Sequence, residues 1–186
     1  MQPTDKQRHG FEVLMQQAAL PAEWKQEYYS NGYLDRLEIS PSKKEWTFYI
    51  GLDQLLPVAV YAGMTERMRA KLGHHADIHT VLLYAPSVPT GAIVQAYWSL
   101  FVEWMQQSVV SVNGWLAKAE VDYDDKDVVT VTLHTEMNME LAKKKEIDVH
   151  AARYFEEKFQ RTARFKLTVG EARPDMLSEF TQKIQQ

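Results

Sequence analysis

The chain has 186 residues, of which 45% are hydrophobic and 25% charged, and a formal net charge of −4. That size suits one large domain or two small ones around a real core, and the acidic balance argues against strong non-specific binding to DNA, RNA or anionic membrane by the chain as a whole. There is no cysteine, which excludes disulfide staples, thiolate catalysis and cysteine-ligated zinc.

Met1 to Asp5 is polar and no apolar run follows it. The expectation is a protein without signal peptide or membrane span, cytoplasmic by default. Residues 6–19 read as an amphipathic helix, with Phe11, Leu14, Met15 and Ala18 at helical spacing. Pro21 suits the first turn of a second helix carrying Trp24, Tyr28 and Tyr29, and Asn31-Gly32 is expected to end it in a left-handed cap. A hairpin follows: Leu37 to Ile39 opens one strand, Ser40 to Lys44 turns, and Trp46 to Ile50 runs back. Leu56-Pro57 starts a helical stretch to Leu72, capped by Gly73. Gly63 is expected to interrupt that stretch, with Thr65 capping a second segment. Ile78 to Tyr84 reads as a strand.

Ala85-Pro86-Ser87-Val88-Pro89 is an extended connector. Thr90 then caps a helix from Gly91 to Gln107 whose polar residues Gln95, Ser99, Glu103 and Gln106 form one narrow stripe. A helix apolar over so much of its circumference is buried on several sides, so it should pack against both halves of the chain. Trp98 and Val102 border the stripe and are the candidates for exposure. A short helix over Val109 to Lys118 precedes a second hairpin, Ala119 to Val121 and Val128 to Thr132, around an acidic turn from Asp122 to Asp127. Residues 136–160 are helical in pattern, split at Lys143-Lys144-Lys145-Glu146; Ala163 to Val169 is the closing strand. Leu177, Phe180 and Ile184 mark a last amphipathic helix, without a capping signal, as in a chain cut from something longer.

Leu37 to Ala119 and Trp46 to Val128 are the same step along the chain. Each hairpin is preceded by a helical pair and followed by a helical stretch and one strand. The fold expected is therefore α+β: two similar units over 1–85 and 90–170, joined through the apolar helix, with 171–186 leading onward.

Few residues carry chemistry. His74, His75 and His79 suggest a metal, but Gly73 ends the helix before them and no third ligand type follows at useful spacing, so a solvated loop is favoured and no metal or other cofactor is expected. Asp122, Asp124, Asp125 and Asp127 lack the central glycine and distant glutamate of a calcium loop and read as exposed turn residues. Lys143, Lys144 and Lys145 with Arg161, Arg164 and Lys166 are the only basic concentration, diluted by acids at 140, 146, 148, 156 and 157. No phosphate loop, serine elbow or kinase signature is present. No catalytic residue is assigned.

Glu45 to Ile50, Leu55-Leu56-Pro57-Val58-Ala59-Val60-Tyr61, and Val94-Gln95-Ala96-Tyr97-Trp98 resemble the N-terminal region of PolC-type DNA polymerase III alpha subunits, the replicative polymerases of low-GC Gram-positive bacteria. The resemblance covers the chain down to Gln182-Lys183-Ile184-Gln185-Gln186. It implies a first unit like the C-terminal domain of the clamp-loader tau subunit and a second like a type II KH module. It also implies that the parent's polymerase and exonuclease parts lie downstream, so no polymerase aspartate carries over. KH modules grip nucleic acid with a GXXG loop; the matching places read Ala62-Gly63-Met64-Thr65 and Lys143-Lys144-Lys145-Glu146. The implied role is a non-catalytic interaction module, docking on a replisome protein or a downstream polymerase domain, with Trp98 and Val102 as partner-binding candidates. The alternative is single-stranded DNA binding through the basic set.

Overall fold

The computed structural model describes residues 2–109, 112 and 114–170. The helix expected around Leu177, Phe180 and Ile184 lies outside them. The element order is α1 (Asp5–Gln17), α2 (Ala22–Glu27), β1 (Tyr33–Ser40), β2 (Glu45–Leu52), α3 (Val58–Leu72), β3 (Asp77–Tyr84), α4 (Thr90–Ser108), β4 (Glu120–Tyr123), β5 (Val128–Leu133), α5 (Glu136–Lys144), α6 (Ile147–Phe159) and β6 (Arg164–Val169). This is a mixed α+β architecture with two three-stranded sheets, ordered β1-β2-β3 and β4-β5-β6. In each sheet a hairpin supplies an antiparallel pair and a helical crossover adds a parallel third strand. The strand order expected from the repeated pattern is thus the same in both halves.

Local signals place most boundaries. Thr4 and Gln7 form a capping box on α1: the Gln7 backbone N–H donates to Thr4 Oγ1 at 3.2 Å, and the Thr4 N–H donates to Gln7 Oε1 at 2.9 Å. Gly73 caps α3, and Thr135 caps α5 by accepting from the Asn138 N–H at 3.1 Å. The crossovers differ. Lys143-Lys144-Lys145-Glu146 does break the second one, with Glu146 left-handed at φ 50. Gly63 does not break the first, because α3 is continuous. A side chain at Gly63 would meet the Trp24 ring at 2.8 Å, so the glycine serves close packing there. Gly32 corrects the same kind of expectation. Its φ is not positive, and α2 has already ended at Glu27. A Cβ at Gly32 would penetrate the buried Phe11 ring, so the residue lets α1 approach. The short helix expected over Val109 to Lys118 is absent among the described residues; Gly114 to Lys118 form turns.

α4 packs against both halves, as its apolar circumference requires. Tyr97 lies with its ring centroid 5.1 Å from Tyr61 and 5.1 Å from Phe159; Phe101 meets Tyr154 at 5.5 Å and Phe155 at 6.2 Å. At this joint the Tyr84 and Tyr97 hydroxyls are 2.5 Å apart, Tyr97 donates to the Leu56 carbonyl at 2.8 Å, and the Leu56 N–H donates to Tyr84 Oη at 3.1 Å. Burial pushes the Tyr84 hydroxyl up to about 12 and raises that of Tyr97 as well. The folded state keeps protons that ordinary tyrosines release near pH 10. Stability from this source is intact below about pH 10 and is lost as pH rises through about 12. The urea midpoint should therefore drop steeply in that window, and Tyr84→Phe should blunt the drop. A midpoint flat to about pH 12 would contradict it.

Candidate interaction site

The polar stripe of α4 overlooks a groove of about 420 Å³. Gln95, Ser99, Glu103 and Gln106 are exposed along one wall, Ala117, Ala119 and Val121 form the other, and Trp98 and Val102 line the floor. Gln95 Nε2 spans the walls, donating to the Val121 carbonyl at 2.9 Å. The expected exposure of Trp98 and Val102 is corrected: they are 6% and 4% accessible. Their place beside the stripe suggested a free edge, but the segment before β4 and strand β6 cover it. The Trp98 ring lies 4.9 Å from Phe101 and 6.4 Å from Phe165. Its indole N–H is buried and finds no acceptor.

The basic set is divided. Lys143 and Lys144 are exposed in the last turn of α5, Lys145 is half-buried, and Lys166 is exposed on β6. Arg161 points inward. Its guanidinium donates to the carbonyls of Tyr84 at 2.9 Å, Ala85 at 2.8 Å and Val88 at 3.0 Å, and to Thr90 Oγ1 at 3.3 Å. Arg164 donates to the Lys126 carbonyl. Both arginines therefore hold backbone.

The acidic turn is also divided. Asp124 Oδ1 accepts from the N–H groups of Lys126 and Val128, each at 2.9 Å, as a turn residue does. Asp127 is not a solvated ornament. It is half-buried, and its carboxylate accepts from the Thr90 N–H at 2.9 Å and the Gly91 N–H at 2.5 Å. It supplies from a distance the cap that Thr90 was expected to provide, and its negative charge suits the end of α4 that the dipole makes positive. His74 and His75 stay on the loop, His75 stacking on Trp46 at 5.6 Å. His79 is on β3, beside Asp77 and Glu45. Sequence spacing missed that triad, because its three residues come together only through strand pairing; the paired first residues of β2 and β3 were the available signal.

Fold and surface define an α+β unit in which α4 packs on the second sheet, meets the first half through Tyr97 against Tyr61 and Tyr84, and carries a groove along its polar stripe. Residues 10–81 match the family described as DNA polymerase III polC-type N-terminus I, and residues 96–186 match DNA polymerase III polC-type N-terminus II. The chain belongs to the family of PolC-type DNA polymerase III N-terminal regions. It is 27% identical over 106 residues to the DNA polymerase III PolC-type of Bacillus subtilis (strain 168), covering 57% of this chain and 7% of that protein. To the Bacillus cereus counterpart it is 26% identical over 123 residues, 61% of this chain and 9% of that one. To the one from Listeria innocua it is 19% identical over 134 residues, 72% and 9%. The match thus spans less than a tenth of these relatives' length. The crystal structure of APE1850 overlaps 90% of this chain and 100% of its own at 12% identity, with a TM-score of 0.31, too low to bear on the fold. No described helix is long and apolar enough to cross a membrane.

Proposed function

We propose that this chain is a non-catalytic docking module of a PolC-type replicative DNA polymerase, acting in the cytoplasm and binding another replication protein or another part of the polymerase. In this reading 1–85 and 90–170 are two KH-like units, the first resembling the clamp-loader tau C-terminal domain. The observation that carries the reading is the match to two N-terminal regions that make up under a tenth of the relatives. The α4 groove supports it, offering apolar floor and polar rim together, as interaction patches do. Single-stranded DNA binding is the second reading, favoured by the exposed Lys143, Lys144 and Lys166. It is weakened by the engagement of Arg161 and Arg164 with carbonyls.

The experiment is capture of purified replication proteins on the immobilised chain, beside a single-strand DNA titration at two salt concentrations. Trp98→Ala would now probe packing rather than docking. Ser99, exposed at the groove wall, is the better handle. Ser99→Arg should weaken partner capture at least about tenfold, the cost of filling a complementary pocket, and leave the fold intact. Charge reversal of Lys143, Lys144 and Lys145 together should leave capture unchanged. Tight, steeply salt-dependent DNA binding lost with the lysines would establish the second reading instead. Primer extension or nuclease turnover that scales with purified chain in magnesium or manganese would overturn the non-catalytic assignment.

A further inference from the structure

Glu45 opens β2 and Asp77 opens β3, and the parallel register sets them directly opposite each other. His79 lies two residues further along β3, on the same face of the sheet. Its Nε2 is 3.1 Å from an Asp77 carboxylate oxygen and 4.0 Å from one of Glu45. One ligand atom from each residue lies within 4.8 Å of the other two. Nε2 is buried and makes no hydrogen bond, its closeness to Asp77 notwithstanding. A tetrahedral ion with bonds of about 2.1 Å holds its ligand atoms about 3.4 Å apart, and the two imidazole–carboxylate spacings bracket that value.

We propose that His79, Asp77 and Glu45 form a divalent metal site for a zinc-like first-row ion. One imidazole and two carboxylates are the N/O donor set such ions take, and Asp77 at the sheet end leaves a side open for water. The ion removes two costs together. Like charges facing each other across paired strands repel. A buried ring nitrogen that makes no hydrogen bond is poorly compensated for its lost hydration. Arg69 and Lys158 line the adjoining hollow with His79 and oppose a cation; the two carboxylates counter them. The bound ion ties the ends of β2 and β3; the adjoining hollow shares Glu103 with the α4 groove, but the three ligands are strand residues outside that groove, so the site does not depend on the docking reading.

The test is a titration of the chelator-treated full chain with zinc by calorimetry and with cobalt by visible absorption, beside thermal unfolding. One ion per chain is expected, with the intense visible bands of four-coordinate cobalt and a higher Tm in zinc. His79→Ala and Glu45→Gln should each cut affinity at least about tenfold, since even outer-shell partners change it by 10–100-fold. The double variant His74→Ala/His75→Ala should leave it unchanged. No binding at millimolar zinc overturns the site. So does binding indifferent to both ligand variants, or binding lost with His74 and His75 instead.

Discussion

Arg161→Ala is expected to destabilise the fold by about 3 kcal/mol. Four acceptors converge on this guanidinium: the carbonyls of Tyr84, Ala85 and Val88, and the Thr90 hydroxyl. A hydrogen bond to a charged donor contributes about 1.5–3 kcal/mol net. The four are partly buried, so water regains some of the orphaned carbonyls and the total stays well below the simple sum. Arg161 lies just beyond α6 and its acceptors span the connector between β3 and α4, so the loss falls on the joint between the halves. Arg161→Lys should recover little, because one ammonium cannot fan across acceptors that a planar fork reaches together. Urea unfolding measures it. A midpoint within experimental error of the parent would refute the clasp. DNA binding, if any is found, should be indifferent to this change.

The elements legible from the sequence were those whose cause is local. Short strand runs on either side of a polar turn placed both hairpins, and the prolines of Ala85 to Pro89 placed the connector. The narrow stripe of Gln95, Ser99, Glu103 and Gln106 foretold that α4 is packed on both sides. What failed had a distant cause. Gly63 and Gly32 look like breaks, but each is set by a ring from another helix, Trp24 and Phe11. Asp127 looks like one more turn acid until the fold brings it to the start of α4. Arg161 looks like a phosphate ligand until its side chain is seen among connector carbonyls far back in sequence. Charge clusters are read along the chain, whereas hydrogen bonds choose partners across it.

The candidate site divided the same way. The stripe was legible and the groove beside it was not, because its second wall is Ala117, Ala119 and Val121. That wall turned the expected exposed edge, Trp98 and Val102, into a floor. The histidines show the converse. His74, His75 and His79 are near in sequence, yet the first two stay on the loop and His79 lies on β3. Parallel pairing brings His79 to Glu45, which no spacing rule reaches.

Phe159→Ala should cost more than any other single truncation discussed, about 3–5 kcal/mol, the range for emptying a buried phenylalanine site. Phe159 is 2% exposed at the end of α6. Its ring lies 5.1 Å from Tyr97, 5.9 Å from Tyr61, 6.1 Å from Tyr84 and 5.9 Å from Phe155. Tyr61 and Tyr84 belong to the first sheet's half, Phe155 to the second, and Tyr97 to the helix between. Truncation therefore opens a cavity at the point where all three meet. The hydroxyl network of Tyr84 and Tyr97 adjoins it and would lose the ring that screens it from water; with less burial to hold the folded-state protons, the alkaline loss of stability should be smaller and should level off at lower pH. Because the joint couples the halves, calorimetry of the variant should show a van't Hoff enthalpy below the calorimetric one, the mark of uncoupled units. Phe159→Leu, which keeps most of the volume, should retain a single transition at a smaller loss. If Phe159→Ala unfolds in one step with a loss under about 1 kcal/mol, the aromatic joint is not what holds the halves together, and the coupling rests on Arg161 and its acceptors at Tyr84, Ala85 and Val88.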